Sequence, residues 1–187
     1  MPFTALEVNH QQVDFVRRFG SKIYFGDATR LDLLLSAKTG NARLFVLAID
    51  DVEASLKTAA LVRQHFPGLP ILARARNRTH YFRLRDLGIT MIYRETFLTS
   101  IAVAQQALLN LGFTAAAAER AVTLFRQHDE ELIEQQHAVH HDEAQLIQNA
   151  RLATEQLKSL FEADTVDLLQ QVSGTDDTGP EKQAVRS

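Results

Sequence analysis

From residue 1 to residue 112, short β-branched or aromatic runs alternate with segments of helical period, and this alternation restricts the fold more than anything else in the chain. Strands are expected at Thr4–Val8, Lys22–Phe25, Leu44–Ile49, Ile71–Arg74 and Thr90–Tyr93. Helices are expected near Gln11–Phe19, Leu31–Lys38, Val52–His65 and Thr79–Leu87. Gly20 and Gly88 fall where a helix should stop, because glycine enters the left-handed region without a Cβ clash. Asp50 or Asp51 can cap the helix that follows, and Phe66-Pro67-Gly68-Leu69-Pro70 makes a tight connection into the next strand. Strand–helix alternation with short loops implies parallel neighbours joined by crossover helices. The fold class is therefore α/β, a Rossmann-like parallel sheet covered on both faces.

A fifth helix, Phe97–Leu111, is unusually apolar, with Phe97, Ile101, Ala104, Leu108 and Leu111 in one stripe widened by Leu98, Ala102 and Leu109. That breadth exceeds what one sheet face hides, so a subunit interface competes with a plain core helix. From Thr114 to about Leu169 the pattern reads as one continuous helix, free of internal Pro and Gly. Phe125, Leu132, Val139, Leu146, Ala153 and Leu160 recur every seven residues, as in one row of a coiled coil. The companion row is polar early (Asp129, Gln136, Glu143) and apolar later (Ala150, Leu157). The expected division is residues 1–112 as the α/β domain, 113–172 as a helical arm for regulation or dimerisation, and 173–187 as a disordered tail.

The formal net charge of −3 conceals an asymmetry. Residues 1–112 hold fourteen Lys/Arg against nine Asp/Glu, a net of +5; residues 113–187 hold six against fourteen, a net of −8. A mildly basic front suits an anionic ligand, and the acidic arm argues against nucleic acid as a partner. The absence of cysteine excludes disulfides and thiolate chemistry and suits a reducing cytoplasm. No apolar run is long enough to span a bilayer, and MPFTALEV has neither the basic nor the apolar region of a secretory signal.

Three constellations could carry chemistry. The first is the set of strand ends: Glu7, Gly26-Asp27-Ala28-Thr29, and Asp50-Asp51. In doubly wound sheets ligands sit beyond the carboxyl ends of the strands, and an acidic residue there bonds ribose hydroxyls. Each Asp alone is equally an ordinary cap or turn residue. The second is the arginine group Arg74, Arg76, Arg78, Arg83, Arg85 and Arg94. Arg74 and Arg76, two apart at a strand end, point the same way, and with Arg94 they suit a carboxylate or phosphate. The alternative for the whole group is a solvated basic face with Asp86 and Glu95 as partners; Arg83 and Arg85, on a helix, read that way, and Arg74, Arg76 and Arg94 read as ligand contacts. The third is His128, His137, His140 and His141, where the i,i+4 spacing of His137 and His141 permits a metal without a third ligand to complete it; no metal is expected. No nucleophile–base set, P-loop or G-x-S-x-G is present, so an enzyme is not expected.

Those positions carry a resemblance. Phe19-Gly20-Ser21-Lys22-Ile23-Tyr24-Phe25-Gly26-Asp27-Ala28-Thr29-Arg30 resembles part of a regulator-of-potassium-conductance (RCK, KTN or TrkA-N) domain. Ala48-Ile49-Asp50-Asp51, Ala73-Arg74-Ala75-Arg76-Asn77, His80-Tyr81-Phe82-Arg83-Leu84-Arg85 and Arg94-Glu95-Thr96-Phe97 narrow it to the cytoplasmic domain of glutathione-gated potassium/proton antiporters, the Kef family. The likeness covers about residues 4–130. It implies a non-enzymatic regulatory module at the inner face of the plasma membrane that binds an adenine nucleotide, NAD(H) or AMP, and glutathione or its conjugates. It further implies a homodimer through helix 97–111 and the arm, an antiporter partner and an ancillary oxidoreductase. By position, Glu7 would meet the ribose, Asp27 and Ala28 the adenine, and Arg94 the glutathione. Asp129 stands where the family carries an asparagine that contacts glutathione, and a carboxylate cannot donate as an amide does. The sheet is expected to be N-terminally truncated, opening at the family's second strand without the G-x-G-x-x-G turn.

Two other readings compete with a ligand-gated module. A degenerate α/β dimerisation module would act through its helix interface and arm with no ligand. A nicotinamide-dependent oxidoreductase would need a substrate domain and a general acid, for which 187 residues leave no room.

Overall fold

A computed structural model describes residues 3–20 and 22–173. In chain order its elements are β1 (Leu6–Glu7), α1 (His10–Arg18), β2 (Tyr24–Phe25), α2 (Leu31–Ser36) and a 3-10 turn at Thr39–Asn41. There follow β3 (Phe45–Leu47), α3 (Val52–His65), β4 (Ile71–Ala75), α4 (Arg78–Asp86) and β5 (Met91–Arg94). Three long helices complete it: α5 (Phe97–Asn110), α6 (Ala115–His137) and α7 (Glu143–Ser173). The chain forms two compact units that divide between Ser100 and Ile101.

The first unit is α/β, as the alternation requires. Local chemistry sets its helix starts. Asn9, Asp51 and Asn77 each hold the N-terminus of the following helix, accepting from Gln11, Ala54 and His80 N–H respectively. Of the two candidate caps for α3, Asp51 is the one used, which leaves Asp50 to other contacts. Gly20 and Gly88 take positive φ (+80° and +74°), as expected of glycines just past a helix end.

One apolar cluster holds this unit. Ile71, Ala73 and Ala75 alternate along β4 toward it, joined by Leu47 of β3, Leu56, Ala59 and Val62 of α3, Leu84 of α4 and Ile89. Each large aliphatic side chain so buried contributes about 1.5–3 kcal/mol. Leu34 of α2 completes the cluster, and Leu6 and Ala28 pack on its border.

The expectation of one continuous sheet is corrected: there are two. β1 pairs with β2, and β3, β4 and β5 pair in that order, every pair parallel. A doubly wound sheet runs 3-2-1-4-5-6 across its width. The orders β2-β1 and β3-β4-β5 match the 3-2 and 4-5-6 portions of that arrangement. Among the described residues no strand lies between β1 and β3. β1 turns the carbonyls of Ala5 and Glu7 toward β2, accepting from Tyr24 and Gly26 N–H at 2.9 Å each. The peptide groups of Leu6 therefore lie along its other edge.

In the second unit α6 and α7 pack as an antiparallel pair, with His128 bonded to the Ala153 carbonyl at 3.0 Å. The expected continuous arm is thus corrected to two helices. The break spans Ala138–Asp142, and Asp142 starts α7 by accepting from Gln145 N–H at 3.1 Å while the Gln145 amide returns to its other oxygen at 2.7 Å. Asp142, with Gln145 three residues on, is an N-cap signal that the heptad reading passed over. The heptad row does not form one buried stripe. Phe125 and Leu160 are exposed, whereas Asp129, Ile133 and Gln136 are buried on α6. No residue of α5 is buried; Leu98, Val103 and Leu109 all face solvent. The tail expected to be disordered lies, from residue 174, outside the described residues.

Candidate functional site

The sequence-derived candidates collect at strand ends, but in two groups. Glu7 ends β1, and its Oε1 accepts from Asn9 N–H at 2.8 Å. Beside it, beyond β2, the buried Gly26 makes a close approach, since a Cβ there would lie 3.3 Å from Leu6 Cδ2. Asp27 follows, half-buried, with Oδ1 accepting from Thr29 N–H at 2.9 Å. That backbone bond, helped by the Thr29 hydroxyl and by Lys57 of α3, holds the Asp27 carboxyl below its ordinary range. Ala28 packs against the cluster border. The His10 ring stacks on Phe25 with centroids 3.6 Å apart. The ends of β1 and β2 thus offer two carboxylates and a flat ring, which suits hydroxyl-rich and aromatic ligand parts.

The second group lies at the ends of β3, β4 and β5. Arg74 lies on β4 and Arg76 just past its end, and both reach the same two carboxylates, as the two-residue spacing suggests. Arg74 meets Asp50 at 2.5 Å and Glu95 at 2.9 Å; Arg76 meets Glu95 at 3.1 Å and Asp50 at 3.4 Å. Arg74 bonding, then its charge, lowers the Asp50 carboxyl pKa. The expectation that these arginines face an open ligand site is thereby modified: protein carboxylates already engage both. Sequence reading offered Glu95 as a partner for the arginine group without saying which arginines it meets. The signal was the parallel register, in which Ala75 pairs with Arg94 and Glu95 N–H reaches the Ala75 carbonyl at 2.9 Å. Arg94 turns elsewhere, its guanidinium 3.6 Å from the centroid of the Phe97 ring. Arg83 pairs with Glu53 of α3, the solvated-face reading made for it.

Beneath this group sits a residue the sequence did not single out. His80 is fully buried, and its Nδ1 accepts from Arg76 N–H at 3.2 Å. The ring is therefore neutral with its proton on Nε2, which has no partner among the described residues. Burial first, then Arg83 and Arg74, pushes its pKa below 6.5. An i+3 position after the Asn77 cap, facing the sheet, was the available signal.

In the second unit Asp129 is buried on α6. An open groove of ≈570 Å³ between α6 and α7 is lined by His128, Glu131, Leu152, Glu155, Gln156, Ser159 and Leu160, and does not include Asp129. The helix-face premise for His137 and His141 fails, because α6 ends at His137. The rings of His137 and His140 stack 5.3 Å apart, and those of His140 and His141 lie at 3.8 Å.

With this geometry established, known proteins can be compared. The TrkA-N domain family matches residues 1–95, and the potassium efflux system KefB C-terminal domain family matches residues 99–178. The glutathione-regulated potassium-efflux system protein KefC of Salmonella arizonae is 40% identical over 131 residues, 70% of this chain and 21% of that protein. The chain thus spans about a fifth of the length of this curated relative. Among solved structures, the Shewanella denitrificans Kef CTD in AMP bound form is 32% identical with a TM-score of 0.62, over 73% of this chain and 97% of that one. The TrkA-N domain of the inner membrane protein ybaL from Escherichia coli is 21% identical with a TM-score of 0.48, over 60% of this chain and 80% of that one.

Proposed function

Since the chain belongs to the TrkA-N (RCK) family in its Kef-type form, we propose that it is the regulatory, non-enzymatic module of a glutathione-gated potassium/proton efflux antiporter. The observation that carries this reading is the succession of a TrkA-N match and a KefB C-terminal match along one chain. Residues 1–112 sense ligand and the helical arm, 113–172, transmits it. Glu7, Asp27 and Ala28 hold an adenine nucleotide at the β1–β2 ends, with Asp50 on the rim of the neighbouring sheet. The AMP-bound state of the Shewanella relative supports AMP, and NAD(H) is the other candidate. Arg74 and Arg76 face glutathione or its conjugates; Arg94, over the Phe97 ring, and Asp129, buried on the arm, are each further candidate contacts for that ligand. The name of the Salmonella relative supports that ligand. Two copies associate through α5, whose apolar side chains include none that is buried. The partner is a membrane antiporter, with an ancillary oxidoreductase beside it, and the module works at the cytoplasmic face of the membrane.

Gating demands that ligand favour one dimer geometry over another. Thermal unfolding with and without millimolar AMP, NADH and glutathione tests this, with light scattering to follow the dimer. A ligand held at a hundred times its Kd adds about 2.7 kcal/mol to apparent stability. A stabilised dimer supports the reading. A folded dimer indifferent to all three ligands would instead make the chain a ligand-free association module, the reading that the uncovered α5 favours.

A further inference from the structure

Asp50, Arg74, Arg76 and Glu95 close a ring of four charges at the ends of β3, β4 and β5, and its two carboxylates do different jobs. Glu95 gives one oxygen to each arginine, Oε1 to Arg74 Nη1 at 2.9 Å and Oε2 to Arg76 Nε at 3.1 Å. It straps the guanidinium groups side by side, and its own N–H is bonded to the Ala75 carbonyl of β4. Arg74 is further fixed by donating Nη2 to the Ala48 carbonyl at 2.6 Å, and its Nε is buried without a partner among the described residues. Asp50 reaches both arginines through a single oxygen, Oδ1. It lies in the bend between β3 and α3, outside any ladder, with its side chain 76% exposed against 31% for Glu95.

A pair of guanidinium groups fixed from behind, with donors converging on one point, is a receptor for a carboxylate. Here the point of convergence is occupied by an exposed carboxylate from a bend. We propose that Arg74 and Arg76 form a binding site for a small-molecule carboxylate, and that Asp50 is a built-in competitor the ligand must displace. This deepens the glutathione reading and rests on it only for the identity of the natural ligand. The exchange leaves local charge balanced, since one carboxylate replaces another. Asp50 loses little by swinging out, because an exposed ion pair contributes little. A lone carboxylate therefore gains little over Asp50, and a ligand with further contacts wins. Asp50 acts as a threshold against ordinary cellular anions.

Titration calorimetry on the full chain at low ionic strength tests this, with succinate and glutathione as probes. Asp50→Asn and Asp50→Ser should bind succinate roughly two- to fivefold more tightly than the parent chain, the size of one weak ion pair. Adding Arg76→Gln should cancel the gain. Asp14→Asn, the same charge change on the exposed face of α1, should leave binding unchanged. Circular dichroism confirms folding, and because the Asp50 side chain is mostly exposed both variants should pass. Succinate binding that is unchanged, weakened or undetectable in both Asp50 variants overturns the competitor. Tighter succinate with no glutathione binding to any variant keeps the carboxylate site and sinks the glutathione reading. Glutathione binding that Arg76→Gln abolishes and Asp50→Asn leaves unaltered does the reverse.

Discussion

The two sheets of the first unit differ in how completely they are finished. In the β3–β4–β5 sheet every second residue of β4 is buried, helices α3 and α4 cover it, and its strand-end charges are mutually satisfied. In the β1–β2 sheet both residues of β2, Tyr24 and Phe25, are exposed, and Phe15 of α1 meets Phe19, the residue that ends it, edge to face in solvent. Its strands are two residues long, and one edge of β1 has no strand beside it among the described residues. A two-stranded pair is marginal by itself. The lesson is about division of labour: the arginine site stands on a finished scaffold, whereas the carboxylates proposed for nucleotide stand on one that ligand could help to order.

The sharpest way to break this comparison is to cut a comparable side chain from each sheet. Ile71→Ala opens a cavity in the core cluster and should destabilise by about 2–5 kcal/mol in urea unfolding followed by circular dichroism. Phe25→Ala removes a half-exposed ring and its stack on His10, and should cost about 1 kcal/mol. Equal losses would mean that the β1–β2 sheet is as firmly built as its neighbour.

That difference was only partly legible beforehand. The element order could be read, because period-2 and period-3.6 patterns alternate and their caps and glycines punctuate them; α3 has the bounds its pattern predicts. The split sheet was harder to see, since strand order is a property of pairing that no local pattern carries. At the strand ends, spacing did put Arg74 and Arg76 on one side. It could not reveal that Glu95, one residue past β5, would fall beside them, because that depends on parallel register. Asp142 shows the opposite failure: its N-cap signal was readable, and an unbroken heptad row outweighed it.

Acid should sharpen the comparison by loosening only one sheet. His80 is buried and neutral, bonded to Arg76 N–H, and faced by Arg83 of its own helix, Arg74 of β4, Arg76 just past that strand, and Glu53 of α3. Its pKa in the folded chain lies below the ordinary 6.5, through burial first and the arginines second. The unfolded chain therefore takes up a proton at His80 more readily than the folded one. The stability that neutral His80 provides is complete above pH 6.5 and drains away as pH falls toward the lowered value. The depressed Asp27, Asp50 and Glu53 carboxyls titrate only in more acidic solution, leaving the window below pH 6.5 to His80 among the shifted groups. Hydrogen exchange should accelerate in β4 and α4 as pH falls through that window, after correction for intrinsic rates, and His80→Phe should flatten the trend. Acceleration centred on β1 and β2 would contradict the assignment to His80.

The smallest expected effect lies at Gly26, and its size measures how tightly the β1–β2 end is packed. An alanine Cβ there would come within 3.3 Å of Leu6 Cδ2 and 3.6 Å of Leu33 Cδ1, both ends of flexible side chains. Leu6 and Leu33 are half-buried and have room to give by a few tenths of an ångström. Replacing glycine also restricts the unfolded chain, worth about 0.4–1 kcal/mol in favour of folding where the backbone tolerates it. No positive φ stands in the way at Gly26, unlike Gly20 or Gly88. The two contributions oppose each other, so Gly26→Ala should change stability by no more than about 0.5 kcal/mol. A loss on the order of 2 kcal/mol would mean that Leu6 is held as rigidly as the core of the other sheet, since that is the scale of overpacking in a close-packed interior. Paired with AMP titration the same variant separates two roles for the glycine. Stability unchanged with AMP affinity lost would mean that the backbone at Gly26 is kept bare for the ligand, not for the fold.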